Sequence, residues 1–515
     1  MSVVERTEPG TAWPDLAGEL PFSLQRYRTG PAFPVLDDRL FVGYRSRADE
    51  AVEVRGDDVV GQPLYADVLR LLEELGPAEL RARTTRRDRL LVGDGVTFGG
   101  PHDSPRRPFP IDLVPRLLPA REWDMLSRAA EQRTAALTAF LADVHGDQRI
   151  VRAGVVPREV VARTPGWPGD APAGSKGTPR AVVLGIDLLR ARDGRWLVLE
   201  DNLRIPSGLG YALQARRTMA TVLPELTPGS ARRAVSPAAA QLRSALEAAA
   251  PARSADAPAV AVLSPGPADS AWFEHRMLAS AMKAPLVMPR DLVVLGDRVA
   301  ILRPDGPRRV DVLYRRQTEE GLADARSATG ELLLPALERA AAAGCLTLAN
   351  AVGNGVADDK AVYGYVPAMV RYYLGEEPLL DNVSTRVLAD PDSRREVLAD
   401  LGAWVVKQVD ALPAQNVVLG PHASADELAR LRAQIAADPG AFVAQELVDF
   451  TTHPTLIGSR LEPRHVDLRV FTVSTPEPAV LPNPLTRVAL NAGSMMVNSF
   501  RGSGAKDTWI VDRTV

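Results

Sequence analysis

A predicted β-hairpin at residues 182–202 constrains this chain more than any other stretch of its sequence. Apolar residues dominate both arms, and the dipeptide Asp193-Gly194 lies between them. Asp-Gly flanked by apolar segments is a strong short-range signal for a hairpin with a two-residue turn. In the register that this turn would set, Asp187 on the first strand faces Glu200 on the second. The sequence therefore predicts two carboxylates side by side on a largely apolar sheet.

Three oxygen-bearing side chains share one face of this predicted hairpin. Asn202 joins Asp187 and Glu200, because side chains two residues apart on a strand point the same way. Carboxylates placed opposite each other repel, and Mg²⁺ is bound in proteins through one or two carboxylates together with substrate phosphates. We interpret the three residues as a magnesium site. The alternatives are a solvated sheet face or a protonated carboxyl group, and a β-bulge would shift the register.

The composition indicates a multidomain protein with no nucleic-acid or membrane partner. The chain has 515 residues, 46% of them hydrophobic, which is enough for a large core. A formal net charge of −3 leaves no electrostatic footprint for nucleic acid. The basic run at 81–89 is interpreted as a solvated loop. The N-terminus lacks a signal-peptide core and no apolar run could span a membrane, so we expect a cytoplasmic protein.

Periodic patterns divide the chain into segments. Apolar residues recur at helical spacing from Glu122 to Val144, which predicts one long amphipathic helix. From about residue 258, strand-like and helix-like segments alternate, as in α/β domains. We expect four parts: 1–90, of uncertain structure; 91–235, with the hairpin; 236–350, an α/β domain; and 351–515.

Three cationic residues are candidates for binding phosphate. Lys407 ends an apolar strand, where either a phosphate oxygen or an internal ion pair could be its partner. Lys360 follows two aspartates, so an ion pair and a phosphate are equally good interpretations. Arg204, close to the hairpin, is either a phosphate clamp or the partner of Asp201.

The last third of the chain holds further candidates. Gln445-Glu446-Leu447 ends a predicted strand, where a backbone could read an adenine edge. Arg469 lies on the polar face of a half-buried strand and is assigned to the nucleotide site. The segment 498–509 is predicted to be a glycine-rich loop, and its Arg501 and Lys506 could help to bind anions. A mobile tail is the alternative for this segment.

These pieces together resemble the circularly permuted ATP-grasp proteins of type 2. The resemblance runs from about residue 91 to the C-terminus. Its motifs are Arg107-Pro108-Phe109-Pro110-Ile111-Asp112-Leu113-Val114-Pro115-Arg116, Gln132-Arg133, Glu200-Asp201-Asn202-Leu203-Arg204-Ile205-Pro206-Ser207-Gly208, Trp272-Phe273-Glu274-His275, Val312-Leu313-Tyr314-Arg315-Arg316, Gly355-Val356-Ala357-Asp358-Asp359-Lys360, Val406-Lys407 and Lys506-Asp507-Thr508-Trp509. The chain departs from the family's usual Gly-Gly-Gly-Ser-Lys-Asp ending, since it has Gly502-Ser503-Gly504-Ala505-Lys506-Asp507.

The resemblance implies a fold and roles for particular residues. It implies an α/β (α+β) permuted ATP-grasp fold, formed by 91–235 and 351–515, with a Rossmann-like substrate domain inserted at 236–350. The predicted metal residues are similar to those of glutathione and glutathionylspermidine synthetases. Lys407 looks like the lysine that meets nucleotide phosphates, and residues 445–447 look like the adenine-binding hinge.

The function implied is an ATP- and Mg²⁺-dependent ligase that joins a carboxylate to an amine through an acyl-phosphate. Arg204, Lys360 and Lys407 would stabilise phosphate charge, and the loop holding Arg501 and Lys506 would exclude water. Ser264, Ser270 and Glu274 are guessed to contact substrate. Both substrates would be small molecules or peptides, and the oligomeric state stays open. The alternative is a nucleotide-binding regulatory protein without turnover.

Overall fold

The chain folds into layers of helix and sheet in a computed structural model. The structure describes residues 65–98, 107–169, 178–226, 238–254, 257–409, 417–458, 460–497 and 503–511. Its helices, numbered along the chain, are α1 (Ala66–Gly93), α2 (Ala120–Val144), α3 (Arg149–Arg152), α4 (Arg158–Val161), α5 (Leu209–Val222), α6 (Ala238–Ala248), α7 (Trp272–Ala281), α8 (Glu319–Ala323), α9 (Leu333–Ala342), α10 (Gly355–Asp358), α11 (Lys360–Tyr363), α12 (Val366–Leu374), α13 (Pro391–Ala399) and α14 (Ala425–Ala437).

The strands are numbered in the same way. They are β1 (Thr97–Phe98), β2 (Arg107–Pro108), β3 (Ile111–Pro119), β4 (Val183–Arg190), β5 (Trp196–Asn202), β6 (Val260–Leu263), β7 (Leu286–Val287), β8 (Leu292–Leu295), β9 (Arg298–Ile301), β10 (Arg308–Val310), β11 (Val312–Arg315), β12 (Thr347–Ala349), β13 (Asp381–Asn382), β14 (Thr385–Val387), β15 (Trp404–Gln408), β16 (Val417–Leu419), β17 (Phe442–Glu446), β18 (Thr452–Ile457), β19 (Arg460–Val473), β20 (Ala479–Val480), β21 (Leu485–Val488) and β22 (Gly504–Val511).

A nine-stranded sheet forms the centre of the molecule. Its order is β13-β5-β4-β19-β21-β22-β3, with β18 and β20 also paired to β19. The two outer pairings, β13 with β5 and β22 with β3, are parallel, and those between them are antiparallel. Strands from the two ends of the described chain therefore lie next to each other.

The long helix α2 covers one face of this sheet. The sequence predicts it from Glu122 to Val144, and the structure has it from Ala120 to Val144. The apolar positions that define the predicted stripe, including Trp123, Leu126 and Leu137, are all buried. Part of the stripe packs against β4, β5 and β19 through residues such as Ile186, Val198 and Val470. Burying this stripe on the sheet is what stabilises the helix.

A parallel sheet of four strands lies in the part of the chain between 260 and 349. Its order is β12-β11-β6-β7, and all three pairings are parallel. Helices α6 and α7 bury Leu242 and Leu278 in one core with β6 and β11, and α9 lies in a second core with the same strands. The predicted mixed α/β character is confirmed. That this region is a Rossmann-like insertion which binds substrate stays a prediction.

A smaller antiparallel sheet, β14-β17-β15-β16, lies apart from the large one. Helices α13 and α14 cover one face of it with Val397, Leu431 and Ile435. The sequence predicts the start of α14 from a capping box, and the structure has it: the Ser424 side chain accepts from Glu427 N–H, and the Glu427 carboxylate accepts from Ser424 N–H.

The hairpin β4–β5 forms, but its turn is not the predicted one. Ala191 N–H donates to the Arg195 carbonyl at 2.8 Å, so three residues connect the strands instead of two. Gly194 adopts a φ of +87°, as expected at the last position of a three-residue hairpin loop. The longer loop shifts the pairing by one residue, so that Leu189 faces Leu197.

A bulge in β5 then cancels this shift. The register changes between the pair Leu188–Val198 and the pair Asp187–Glu200, which leaves Leu199 as the extra residue. Asp187 therefore faces Glu200 as the sequence predicts, although both the turn and the strand differ from the expectation. The extra residue of a bulge re-aims side chains, and Leu199 and Glu200, adjacent in sequence, face the same cavities.

Two segments predicted as loops have regular structure. Residues 81–89 lie within helix α1. Carboxylates compensate part of their positive charge, as in the ion pair between Arg83 and Glu225. From Gly504 onward, the predicted glycine-rich loop is the fully buried strand β22, paired on both sides by β21 and β3. Small residues allow this close approach: a Cβ on Gly504 would meet the Pro110 carbonyl oxygen at 2.8 Å.

None of the helices that the structure describes is long and apolar enough to cross a membrane.

The backbone conformations of two glycines predict different effects for their substitution by alanine. Neither Gly194 nor Gly93 has any atom within 4 Å of an added Cβ, but only Gly194 has a positive φ. Gly194→Ala should lower the free energy of unfolding by about 1 kcal/mol because of backbone strain. Gly93→Ala, at the end of helix α1, should leave it unchanged or raise it by up to about 1 kcal/mol. Urea unfolding followed by circular dichroism tests this, and equal shifts would contradict it.

Candidate active site

A cleft between the large sheet and the small antiparallel sheet holds most of the predicted site residues. It consists of two adjoining cavities, of about 140 Å³ and about 180 Å³. Four residues line both of them: Leu199, Glu200, Lys407 and Gln445. Glu200 and Leu199 come from the bulged strand β5, and the other two from the facing strands β15 and β17. The fold therefore brings the hairpin carboxylate and Lys407 to one junction.

The first cavity is an apolar slot. Strands of both sheets form its walls, and its apolar lining consists of Leu189, Leu199, Val383, Val405, Val417, Leu419, Leu447, Val448, Phe450, Met495, Met496 and Val497. The segment Glu446–Val448 borders the slot where β17 ends, and Glu446 N–H donates to the Ser384 carbonyl at 2.9 Å. An apolar slot bordered by backbone is the kind of cavity that accepts a flat heterocycle.

The second cavity is polar and carries charges of both signs. Its cationic groups are Arg204, Lys360 and Lys407, and its acidic and amide groups are Glu200, Asp201, Asn202, Glu320, Asp358, Asp359 and Gln445. Four separate parts of the sequence supply these groups: the end of the hairpin with the residues after it, helix α8, the turn between α10 and α11, and the small sheet. Clustered cations in a cavity of this size can hold a polyanion such as a phosphate chain.

Lys407 lies at the junction of the two cavities. Its ammonium donates a hydrogen bond to the Gln445 side-chain carbonyl, and the Gln445 amide nitrogen donates to Thr385 Oγ1 at 3.0 Å. Desolvation lowers the pKa of Lys407 to about 8, although the charge of Glu200 partly offsets this effect. A desolvated ammonium next to an acidic group is stabilised by any further anion that enters the cavity.

The other two cations are held at the edge of the polar cavity. Arg204 donates from its backbone N–H and its Nε to the Asp358 carboxylate, at 3.1 Å in each case, rather than to Asp201. Asp201 instead forms a buried, two-pronged ion pair with Arg133, with both distances at 2.7 Å. The Lys360 ammonium donates to the Val409 carbonyl at 3.1 Å.

Beneath Glu200 lies a buried network of four charged groups. The guanidinium of Arg469 donates to both oxygens of Asp187, at 2.6 and 2.7 Å. Arg487 bridges Asp187 at 2.8 Å and Asp467 at 2.5 Å. Burial alone would raise the pKa of Asp187, but the two arginines outweigh it and hold that pKa well below its usual range. Arg469 thus lies below the cleft and is not among the residues that line its cavities.

Glu200 is the less satisfied carboxylate of the predicted pair. Its side chain is 31% exposed, and the guanidinium of Arg469 comes only within 3.7 Å of it. Desolvation and the adjacent charge of Asp187 raise the pKa of Glu200. A cation bound here would offset the repulsion between the two carboxylates, so the electrostatics of the site favour a cation.

The donor set fits Mg²⁺ in part. Glu200 and Asn202 both line the polar cavity and offer hard oxygen ligands. Asp187 lines the neighbouring slot, and both of its oxygens already accept hydrogen bonds from arginine. It could therefore bind a metal only with oxygens that also bond to these arginines. The described residues contain no group of three or more His, Cys, Asp or Glu side chains suited to a metal ion; Asn202 would be the third ligand.

The guessed substrate residues lie elsewhere. Glu274 is buried and accepts from the backbone N–H groups of Gly208 and Gly210, at 2.7 and 2.9 Å. It therefore holds the start of helix α5. Ser264 is buried and hydrogen-bonded to His275 Nδ1 at 2.8 Å, and Ser270 is exposed. None of the three lines either cavity of the cleft.

Of the two C-terminal candidates, Lys506 is not brought to the cleft either. Lys506 is fully buried on β22, where its ammonium pairs with Asp112 and donates to the Pro454 carbonyl at 2.9 Å. Arg501 lies outside the described residues.

Sequence reasoning missed several groups that shape the site. Arg487 completes the buried network, and Asp358 anchors Arg204. Ser207 contributes its backbone carbonyl, which accepts from Arg469 at 3.0 Å. The available signal for Arg487 was an arginine inside a short apolar strand, which is expensive to bury without a carboxylate partner. For Asp358 it was the pair of aspartates before Lys360.

Comparison with known proteins shows what this chain is similar to. The family model described as "Circularly permuted ATP-grasp type 2" matches residues 115–489. A protein of Frankia alni named "Putative glutamate--cysteine ligase 2-3" is 48% identical over 506 residues, which cover 98% of this chain and 56% of that protein. "Uncharacterized protein ML0605" of Mycobacterium leprae is 42% identical, over 92% of this chain and 85% of its own.

The chain spans only about half the length of the first Frankia relatives, 56% and 54%. Among solved structures, the apo form of a glutathione synthetase-like effector, GSS30 from Globodera pallida, matches with a TM-score of 0.54. It covers 84% of this chain and 98% of its own at 13% identity, so the likeness concerns the fold alone. Because the family model matches more than half of its length, this chain belongs to the circularly permuted ATP-grasp type 2 family.

Proposed function

We propose that this chain is an ATP- and Mg²⁺-dependent ligase that joins a carboxylate to an amine through an acyl-phosphate. The observation that carries the proposal is the junction of an apolar slot and a polar, cation-lined cavity at Glu200, Lys407 and Gln445. A nucleotide has the matching shape, with a flat apolar base followed by a chain of phosphates. Membership of the ATP-grasp family and the ligase names of the two Frankia relatives support the same activity.

In this proposal the adenine occupies the slot beside the hinge Gln445–Val448. The phosphates then run past Lys407 toward Lys360 and Arg204. Glu200 and Asn202, with Asp187 as the third predicted ligand, would hold Mg²⁺. When bound, Mg²⁺ supplies positive charge to the phosphate oxygens. Arg469 and Arg487 keep Asp187 ionised and in place at the wall of the slot, which pre-organises the acidic side of the site.

The chemistry needs no nucleophilic side chain. A carboxylate oxygen of the substrate attacks the γ-phosphorus, the bond to the β–γ bridging oxygen breaks, and ADP leaves. The amine nitrogen then attacks the acyl carbon, the carbon–oxygen bond to the phosphate breaks, and the nitrogen loses a proton. Transfers of this kind depend on positioning and electrostatic stabilisation, which the cationic groups of the polar cavity provide.

A test of the proposal is ADP release that requires both a carboxylate and an amine. L-Glutamate with L-cysteine is the first pair to try, because the Frankia relatives carry those substrates in their names. Mixed amino acids, short peptides and polyamines follow as wider panels. We expect release only with ATP, Mg²⁺ and both substrates present. Tight ATP binding with no release on any panel would favour a nucleotide-binding regulatory protein instead.

Removing the charge of Glu200 should abolish this turnover. Glu200→Gln is expected to lower Mg²⁺-dependent ADP release about 100-fold or more, because it removes charge from the predicted metal site. Glu462→Gln is the matched control: Glu462 lies on the same sheet, its side chain is also 31% exposed and it also faces an arginine, but it lines neither cavity. Full Mg²⁺-dependent activity in Glu200→Gln would refute the metal assignment.

Lys407 is expected to be needed for both nucleotide binding and turnover. Lys407→Met should weaken ATP binding, measured by calorimetry, and reduce turnover about 100-fold, since a desolvated charge next to the phosphates is lost. Lys407→Arg should not restore turnover, because the guanidinium is larger than the ammonium from which Gln445 accepts a hydrogen bond. The exposed Lys283 provides the control variant Lys283→Met. Unchanged ATP affinity in Lys407→Met would contradict the assignment.

A further inference from the structure

One carboxylate oxygen in the polar cavity has no hydrogen-bond partner. Asp359 lines this cavity and is only 4% exposed. Its Oδ1 accepts from the backbone N–H groups of Ala361 and Val362, at 2.8 and 3.2 Å, and so begins helix α11. Its Oδ2 is buried, and no group among the described residues donates to it.

A buried carboxylate oxygen without a donor is unfavourable. Leaving such a group unsatisfied destabilises the folded protein, and more so when the group is charged. Desolvation raises the pKa of Asp359 to about 6, even though the two helix N–H groups favour the ionised form. Unsatisfied buried polar groups in native proteins call for an explanation, and a ligand that occupies the cavity is one.

The neighbouring aspartate shows the contrast. Asp358 lines the same cavity, but its oxygens accept from the backbone N–H groups of Leu203 and Arg204 and from the Arg204 side chain. It therefore serves to hold the end of the hairpin. Of these two aspartates, both of which line the cavity, only Asp359 has a buried carboxylate oxygen without a hydrogen-bond partner among the described residues.

The charge of the cavity indicates what this oxygen would meet. The cations Arg204, Lys360 and Lys407 line the same space and are complementary to phosphate and carboxylate groups. An unpartnered carboxylate among them is complementary to a cationic N–H donor instead. A carboxylate–amine ligase must bring both kinds of group together, because an alkyl amine is protonated at neutral pH and must lose a proton before it attacks.

We infer that Asp359 binds the acceptor amine through Oδ2 and takes up its proton. This inference rests on the proposed ligase function and adds a catalytic residue to it. The ammonium N–H donates to Oδ2, and the proton passes to the carboxylate. The freed nitrogen lone pair forms the bond to the acyl carbon while the acyl carbon–oxygen bond breaks, and the departing phosphate takes the second proton that the nitrogen loses. The carboxylate then returns the proton to solvent.

Asp359→Asn separates this role from a purely structural one. Asparagine is as good as aspartate at a helix N-cap, so its side-chain carbonyl can still accept from Ala361 and Val362. The amide nitrogen that replaces Oδ2 has no charge and cannot take up a proton. Asp390→Asn is the matched control, since Asp390 is exposed and caps helix α13 through its bond from Ser393 N–H at 2.8 Å.

The experiment compares two nucleophiles at the same carboxylate. With the carboxylate that supports ADP release in the wild-type chain, turnover is measured with its cationic amine and, separately, with hydroxylamine, which is largely uncharged at neutral pH. Asp359→Asn should lose about 100-fold in turnover with the cationic amine and keep the wild-type rate of hydroxamate formation. Asp390→Asn should match the wild type with both nucleophiles.

The outcomes separate the two proposals. Equal losses with both nucleophiles, or no loss with either, would overturn the role of Asp359 and leave the ligase proposal intact. A changed Mg²⁺ requirement in Asp359→Asn with an unchanged ratio between the nucleophiles would mean that Oδ2 meets the metal, and would also overturn it. A wild-type chain that releases ADP with no combination of carboxylate and nucleophile would overturn both.

Discussion

The buried ion network of Asp187, Arg469, Arg487 and Asp467 is the interaction on which the site depends. It lies between β4, β19 and β21, in the middle of the large sheet. Removing one partner from a buried pair leaves an uncompensated charge, which typically costs about 3–5 kcal/mol. The network therefore fixes the three strands relative to one another. Because β5 pairs with β4, it also fixes the position of Glu200 in the cleft.

The same network reaches into the parallel-sheet region. Arg469 also donates to the Ser207 carbonyl, and the loop that holds Ser207 is bound from the other side by Arg316, which donates to the Pro206 carbonyl at 2.8 Å. Glu274 binds the same loop through the backbone of Gly208 and Gly210. Glu274, one of the residues predicted to touch substrate, thus contacts the loop that follows the hairpin and lines neither cavity of the cleft.

Much of this could be predicted from the sequence, and the failures have physical causes. The helix Ala120–Val144 was predictable because its buried stripe repeats with the period of the helix. The sequence predicted that Asp187 faces Glu200, but it did so from a two-residue turn that does not form. A three-residue turn and a bulge each move the register by one residue, and their effects cancel. Lys506 was misplaced because a run of glycine and alanine predicts a loop, whereas here small residues permit close strand packing.

The local features follow from the amino-acid sequence: the hairpin, the long helix, the capping box of helix α14 and the residue types that suit phosphate and metal. These depend on periodicity, turn chemistry and charge over short stretches of chain. Which of these residues come into contact depends on how the folded chain packs. Arginines about 280 and 300 positions away from Asp187 in sequence bind its carboxylate, and Asp359 differs from Asp358 in the partners that distant segments supply. Such contacts depend on how elements that are distant in sequence pack together, and local sequence patterns do not predict that packing.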